Sequence, residues 1–169
     1  MKIVTEDECL SWLSTRLHEP FEWRIAARTY RERITYRVPG DAGRKTALAR
    51  ALAGVLAPDS EGLLWITEWG VFPSSENMPL FLGYRHSLGE ERSVYAAPGH
   101  VFEEADLQVV ECLLALILYF SWDASVFDAG SLWLQVSHDE VLEDRVGAPV
   151  IAEVLTDDAC ELPGNCRVV

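Results

Sequence analysis

The chain has 169 residues, is 49% hydrophobic and carries a net charge of −13. That length suits one domain with a full core, and that composition excludes a disordered chain. The charge excludes nucleic acid and anionic membrane surfaces as natural partners.

The N-terminal residues Met1 to Glu8 turn acidic at once, unlike a targeting segment, so a cytoplasmic location is expected. Thr5-Glu6-Asp7-Glu8 has the form of a capping box. Leu10, Leu13 and Leu17 then mark one face of a helix from about Glu6 to Leu17, ended by Pro20. Residues 21–38 fit two templates. Alternation of Phe21, Trp23, Ile25 and Ala27, then of Ile34, Tyr36 and Val38, favours a hairpin, although the first half also fits helical spacing.

After Pro39-Gly40, the residues Leu48, Ala51, Leu52, Val55 and Leu56 define a helix over about 43–56. Gly40-Asp41-Ala42-Gly43-Arg44-Lys45-Thr46 sits where a phosphate loop would. Its glycines are too close, and Arg44 replaces the glycine needed before the lysine, so Asp41 reads as a helix cap. Leu63 to Trp69 is almost wholly apolar, the pattern of a central strand. A helix over about 78–88 follows, with Gly89 at its end.

Val94-Tyr95 reads as a short strand and Ala97-Pro98-Gly99-His100 as a loop. Phe102 to Phe120 reads as the longest helix, with Glu103, Glu104 and Asp106 in its first turn. It is apolar on nearly every face from Leu107, so it is expected to be the buried centre, with Cys112 a small core residue. Its nine-residue apolar run, Cys112 to Phe120, is about half of what a bilayer span requires, so no membrane association is expected. Residues 125–127 and 132–136 flank Asp128-Ala129-Gly130-Ser131 as a hairpin, and Val141-Leu142-Glu143 forms a further strand. Residues 146–169 read as a loosely attached tail, in which Cys160 and Cys166 flank Pro163-Gly164 and can bridge only under oxidising conditions. The sum is an α+β fold: one domain, with a mixed or antiparallel sheet and helices packed around a buried central helix.

Charge is unevenly spread. Residues 1–50 hold 10 Lys/Arg against 7 Asp/Glu, whereas residues 51–169 hold 4 against 20. Clustered acids steer basic partners, and tryptophans anchor interfaces. The candidate partner- or ligand-binding residues are therefore Trp69, Glu76, Trp122 and Asp123, with His100, His138, Asp139 and Glu140 at element ends. Trp69 and Trp122 are the expected surface tryptophans, since Trp65 and Trp133 lie inside strands. His100 and His138, with Asp123 and Asp139, form a metal or acid/base site only if their loops converge; no HExxH-type spacing supports one, and no cofactor or metal is expected. No G-x-S-x-G elbow or catalytic cysteine context exists.

The runs Trp69-Gly70-Val71-Phe72-Pro73-Ser74-Ser75-Glu76-Asn77, Ala97-Pro98-Gly99-His100, Phe120-Ser121-Trp122-Asp123 and Ser137-His138-Asp139-Glu140 resemble a family of small uncharacterised bacterial proteins. The resemblance spans about residues 65–145 and implies no activity. In size and acidity the chain is also similar to immunity proteins of bacterial toxin systems. The expected function is a non-enzymatic protein-binding module presenting an acidic surface to a basic protein, and the alternative is a small enzyme centred on His100 and His138.

Overall fold

A computed structural model describes residues 1–16, 34–56, 61–69, 77–128, 131–138 and 141–144. Seven strands among them form one antiparallel sheet: β1 (Lys2–Val4), β2 (Ile34–Arg37), β3 (Gly62–Glu68), β4 (Gly99–Phe102), β5 (Asp123–Asp128), β6 (Ser131–Ser137) and β7 (Val141–Asp144). Their spatial order is β1-β4-β3-β5-β6-β7-β2. The helices are α1 (Glu6–Arg16), α2 (Ala42–Val55), α3 (Asn77–Ser87) and α4 (Leu107–Phe120), the last preceded by a 3₁₀ turn at Glu104–Asp106. The fold is α+β.

β3 shows why the apolar run is central. Its side chains alternate between two cores, because successive strand residues point to opposite faces. Leu64 and Ile66 join Leu48, Leu52, Leu113 and Ile117 from α2 and α4, which pack together on one face. Leu63 and Trp65 join Val4, Cys9, Leu13 and Phe127, beneath α1, on the other. Strand buried on both faces has no polar side to show. Each fully buried Leu contributes roughly 1.5–3 kcal/mol of transfer free energy.

Helix ends follow their local signals. The α1 capping box is formed: Thr5 N–H donates to Glu8 Oε2 (2.8 Å) and Glu8 N–H to Thr5 Oγ1 (3.3 Å). Asp41 caps α2 by accepting from the Arg44 N–H (2.8 Å), as the rejected phosphate loop implies. α4 stops at Ser121, a non-glycine residue at φ 53°, where the Trp122 N–H donates to the Ile117 carbonyl. A left-handed residue with a Cβ costs about 1–2 kcal/mol. Ser121→Gly is therefore expected to raise stability by roughly 0.5–1 kcal/mol in a denaturant melt.

Three expectations are corrected. Val94 and Tyr95 lie in a turn, not a strand; the Ser93 carbonyl accepts from both the Ala96 and Ala97 N–H groups. Residues 99–102 are strand β4, not loop and helix start, and β4 pairs with both β1 and β3. α4 is buried along one broad face only. It exposes Tyr119 and also Cys112, which is not a core residue. Separately, β2, the second half of the segment 21–38, pairs with β7, a strand over a hundred residues away in sequence. The first half of that segment lies outside the described residues, as do residues 146–169 with Cys160 and Cys166.

The expected hairpin near residue 130 is formed, with Asp128 paired to Ser131. Among the described residues, no helix is long and apolar enough to cross a membrane.

Candidate functional site

The end of β3, the start of β5 and the end of β6 meet at one rim of the sheet. The β5–β6 register sets Ala124 against Val136, which carries Asp123 beside Ser137 and His138. The β3–β5 register runs regularly from Gly62↔Asp128 to Ile66↔Ala124, then shifts so that Glu68 opposes Asp123. Thr67 is the extra residue of this bulge. Ile66 and Ala124 both face the α2–α4 core. Regular alternation would point Glu68 to that core as well. One inserted residue reverses the alternation and aims Glu68 at Asp123, a use to which bulges are often put. The Thr67 hydroxyl donates to the Asp123 carbonyl (3.3 Å) and pins the junction.

His138 closes the group. Its backbone N–H donates to Asp123 Oδ1 (2.5 Å), and its ring Nδ1 lies 2.9 Å from the same oxygen. One donor atom each from Glu68, Asp123 and His138 fall within 4.8 Å of one another. Glu68 is exposed, while Asp123 and His138 are half-buried, so the group opens to solvent. Neither carboxylate meets a Lys or Arg among the described residues.

An aromatic cluster backs this rim. Trp69 and Trp122, next in sequence to Glu68 and Asp123, lie 5.8 Å apart edge-on, and Phe81 meets Trp122 edge-to-face at 4.9 Å. Both tryptophans are buried, at 6% and 5% exposure, so they are core residues rather than the expected surface anchors. Among the described residues, the most exposed aromatic side chains are Tyr95, 6.0 Å from Trp69, and Tyr119, 5.4 Å from Phe120. A sequence reading favours tryptophan at element ends, yet the larger indole gains more by burial.

His100 stands elsewhere. It lies on β4 opposite Leu64 of β3 and Ile3 of β1, fully buried. Strands β3 and β5 separate β4 from β6, a span of about 14 Å. The two histidines therefore share no site. Neither His100 ring nitrogen makes a well-formed hydrogen bond, although the Leu64 and Pro98 backbone lies near enough to favour the protonated ring weakly. Burial, aided by the nearby positive charge of Arg85, pushes its pKa down to about 3. Arg85 is itself fully buried, donating to the Ala97 carbonyl (2.9 Å) with its guanidinium 5.8 Å over the Phe81 ring. Beside it, Glu90 is held at about 2 by hydrogen bonds from Arg92.

Of the eight sequence-based candidates, Trp69, Trp122, Asp123 and His138 converge on one rim. His100 does not, and Glu76, Asp139 and Glu140 lie outside the described residues. Glu68 escaped notice, because it closes an apolar run and its orientation depends on a bulge against a strand more than fifty residues away. Cys9 is a poor nucleophile: burial pushes its thiol up to about 12.

No family model, no curated protein and no solved structure matches the chain.

Proposed function

We propose that this chain is a non-enzymatic protein-binding module, immunity-like in size and charge, that receives a basic protein on its acidic surface. The observation that carries this reading is the charge split, 4 Lys/Arg against 20 Asp/Glu over residues 51–169. Three of those acids, Glu68, Glu91 and Glu104, are exposed and form no ion pair among the described residues. Unneutralised surface carboxylates make the local potential more negative and speed encounter with a cationic partner. The exposed Tyr95 and Tyr119 supply rigid, amphipathic contact area of the kind that anchors interfaces.

The reading is tested by capture on the immobilised chain. Basic proteins are expected to be retained from a bacterial lysate at about 50 mM salt and released near 500 mM, where the screening length falls to a few ångströms. The charge-reversed Glu91→Lys/Glu104→Lys variant should retain at least about tenfold less, a cost of about 1.4 kcal/mol. Retention indifferent to both salt and charge reversal would refute the electrostatic basis.

A further inference from the structure

We propose that Glu68, Asp123 and His138 form a binding site for a divalent transition-metal ion of the Zn²⁺ or Mn²⁺ class. Three independent features point to it.

The first is the donor set. Two carboxylate oxygens and one imidazole nitrogen lie within 4.8 Å of one another. A metal about 2.0–2.2 Å from each donor sets neighbouring donors about 3–3.5 Å apart, a closure small enough for side-chain rotation alone. Asp123 and His138 already meet that spacing at 2.9 Å.

The second is the register. The bulge sets two carboxylates directly opposite each other on paired strands. Like charges in that position are destabilising; no Lys or Arg among the described residues relieves them, and His138 against Asp123 does so only when protonated. A dication converts the repulsion into shared attraction, and two carboxylates with a neutral imidazole match its charge.

The third is the anchoring of the donors. Asp123 Oδ1 is oriented by the His138 backbone N–H, and its strand is pinned by Thr67. The backbone on either side is fixed by the buried Trp69 and Trp122. Ligands held by neighbouring hydrogen bonds lose less entropy when the ion arrives.

The chemistry narrows the ion. The imidazole favours Zn²⁺ over Ca²⁺ and Mg²⁺, the two carboxylates also suit Mn²⁺, and the absence of thiolate at this group disfavours Cu(I). Three protein donors leave coordination positions open to water.

Titration calorimetry of the full, chelator-stripped chain with Zn²⁺, repeated with Mn²⁺, tests the site. One equivalent is expected to bind to the wild type. Glu68→Gln and Asp123→Asn should each weaken that event at least about tenfold. Glu104→Gln, an exposed acid elsewhere, should leave it unchanged. Glu68 is exposed, so its variant folds whatever becomes of Asp123→Asn. Metal-free Glu68→Gln should also melt higher than metal-free wild type, because the opposed charges are gone, while losing the melting shift that Zn²⁺ gives the wild type. Equal affinity in wild type and Glu68→Gln, or equal loss in Glu104→Gln, would overturn the proposal. So would a metal-free Glu68→Gln that melts no higher than wild type.

Discussion

Gly99→Ala is expected to destabilise the fold by about 3 kcal/mol, the upper end of what overpacking a core costs. A Cβ at Gly99 would stand 2.1 Å from Cys9 Sγ and 2.6 Å from Val4 Cγ2. Both neighbours are buried, Cys9 on α1 and Val4 on β1, so neither can swing into solvent. Relief requires α1 to lift from the sheet or β1 to slip from β4, where Val4 is the register partner of Gly99. Either movement opens the core of Val4, Cys9, Leu13, Leu63, Trp65 and Phe127. Urea melts measure the loss. Cys9→Ala removes the closest clash, so the double variant Cys9→Ala/Gly99→Ala should lose less than the sum of the single losses. Gly54→Ala serves as the control. Nothing lies within 4 Å of a Cβ there, and the residue is inside α2, so a gain of about 0.5–1 kcal/mol is expected. If Gly99→Ala loses under about 1 kcal/mol, α1 does not pack on β4 as closely as described.

That glycine also shows where a sequence reading reaches its limit. Pro98-Gly99-His100 carries every mark of a loop, yet it begins a strand with a neighbour on each side. Pro98 stands at the strand's entrance, where it needs no ladder N–H, and its carbonyl accepts from the Ile66 N–H (3.2 Å). Gly99 is there because the side chains of Cys9 and Val4 press against its Cα, not because the chain turns. Such a requirement belongs to α1, ninety residues upstream, and leaves no local trace. Elements whose signals are local came through well: the α1 capping box, the α2 cap at Asp41, the doubly buried β3 and the β5–β6 hairpin. β2 was legible as a strand, but its pairing with β7 was not, since nothing near residue 36 names a partner near 142.

The rim site divides in the same way. Asp123 and His138 stood out as polar residues at element ends, and the hairpin between β5 and β6 brings them together. Glu68 joins them only through a one-residue insertion, visible as a register shift between strands and invisible as a residue pattern. Trp69 and Trp122 were located at the right place and given the wrong exposure. An apolar residue at an element end can turn inward as readily as outward, and here Phe81 of α3 offers both indoles an edge to pack on.

His100 is expected to make the fold lose stability as pH drops below about 6.5, well before ordinary carboxylates titrate. In the unfolded chain its imidazole takes up a proton near pH 6.5, the ordinary value. In the folded chain burial, and then the charge of Arg85, hold protonation off to about 3. Between those values the unfolded state binds more protons, so stability falls with pH at about 1.4 kcal/mol per unit. By pH 4.5 the loss from this one group approaches 3 kcal/mol. Glu90, held at about 2 by Arg92, contributes in the same direction but only below its unfolded value of 4.5. The window from 6.5 to 4.5 therefore separates the histidine from the carboxylate. His100→Leu isolates it further. The leucine is close in volume, and the imidazole nitrogens it removes make no well-formed hydrogen bond. At pH 7 the variant should match or exceed wild-type stability by up to about 1 kcal/mol. Its stability should then stay level to pH 4.5, where wild type declines. Urea midpoints across this range decide the matter. A variant that keeps the wild-type slope would show that His100 is not the group excluded from protonation, and with it that β4 does not bury this ring between β1 and β3.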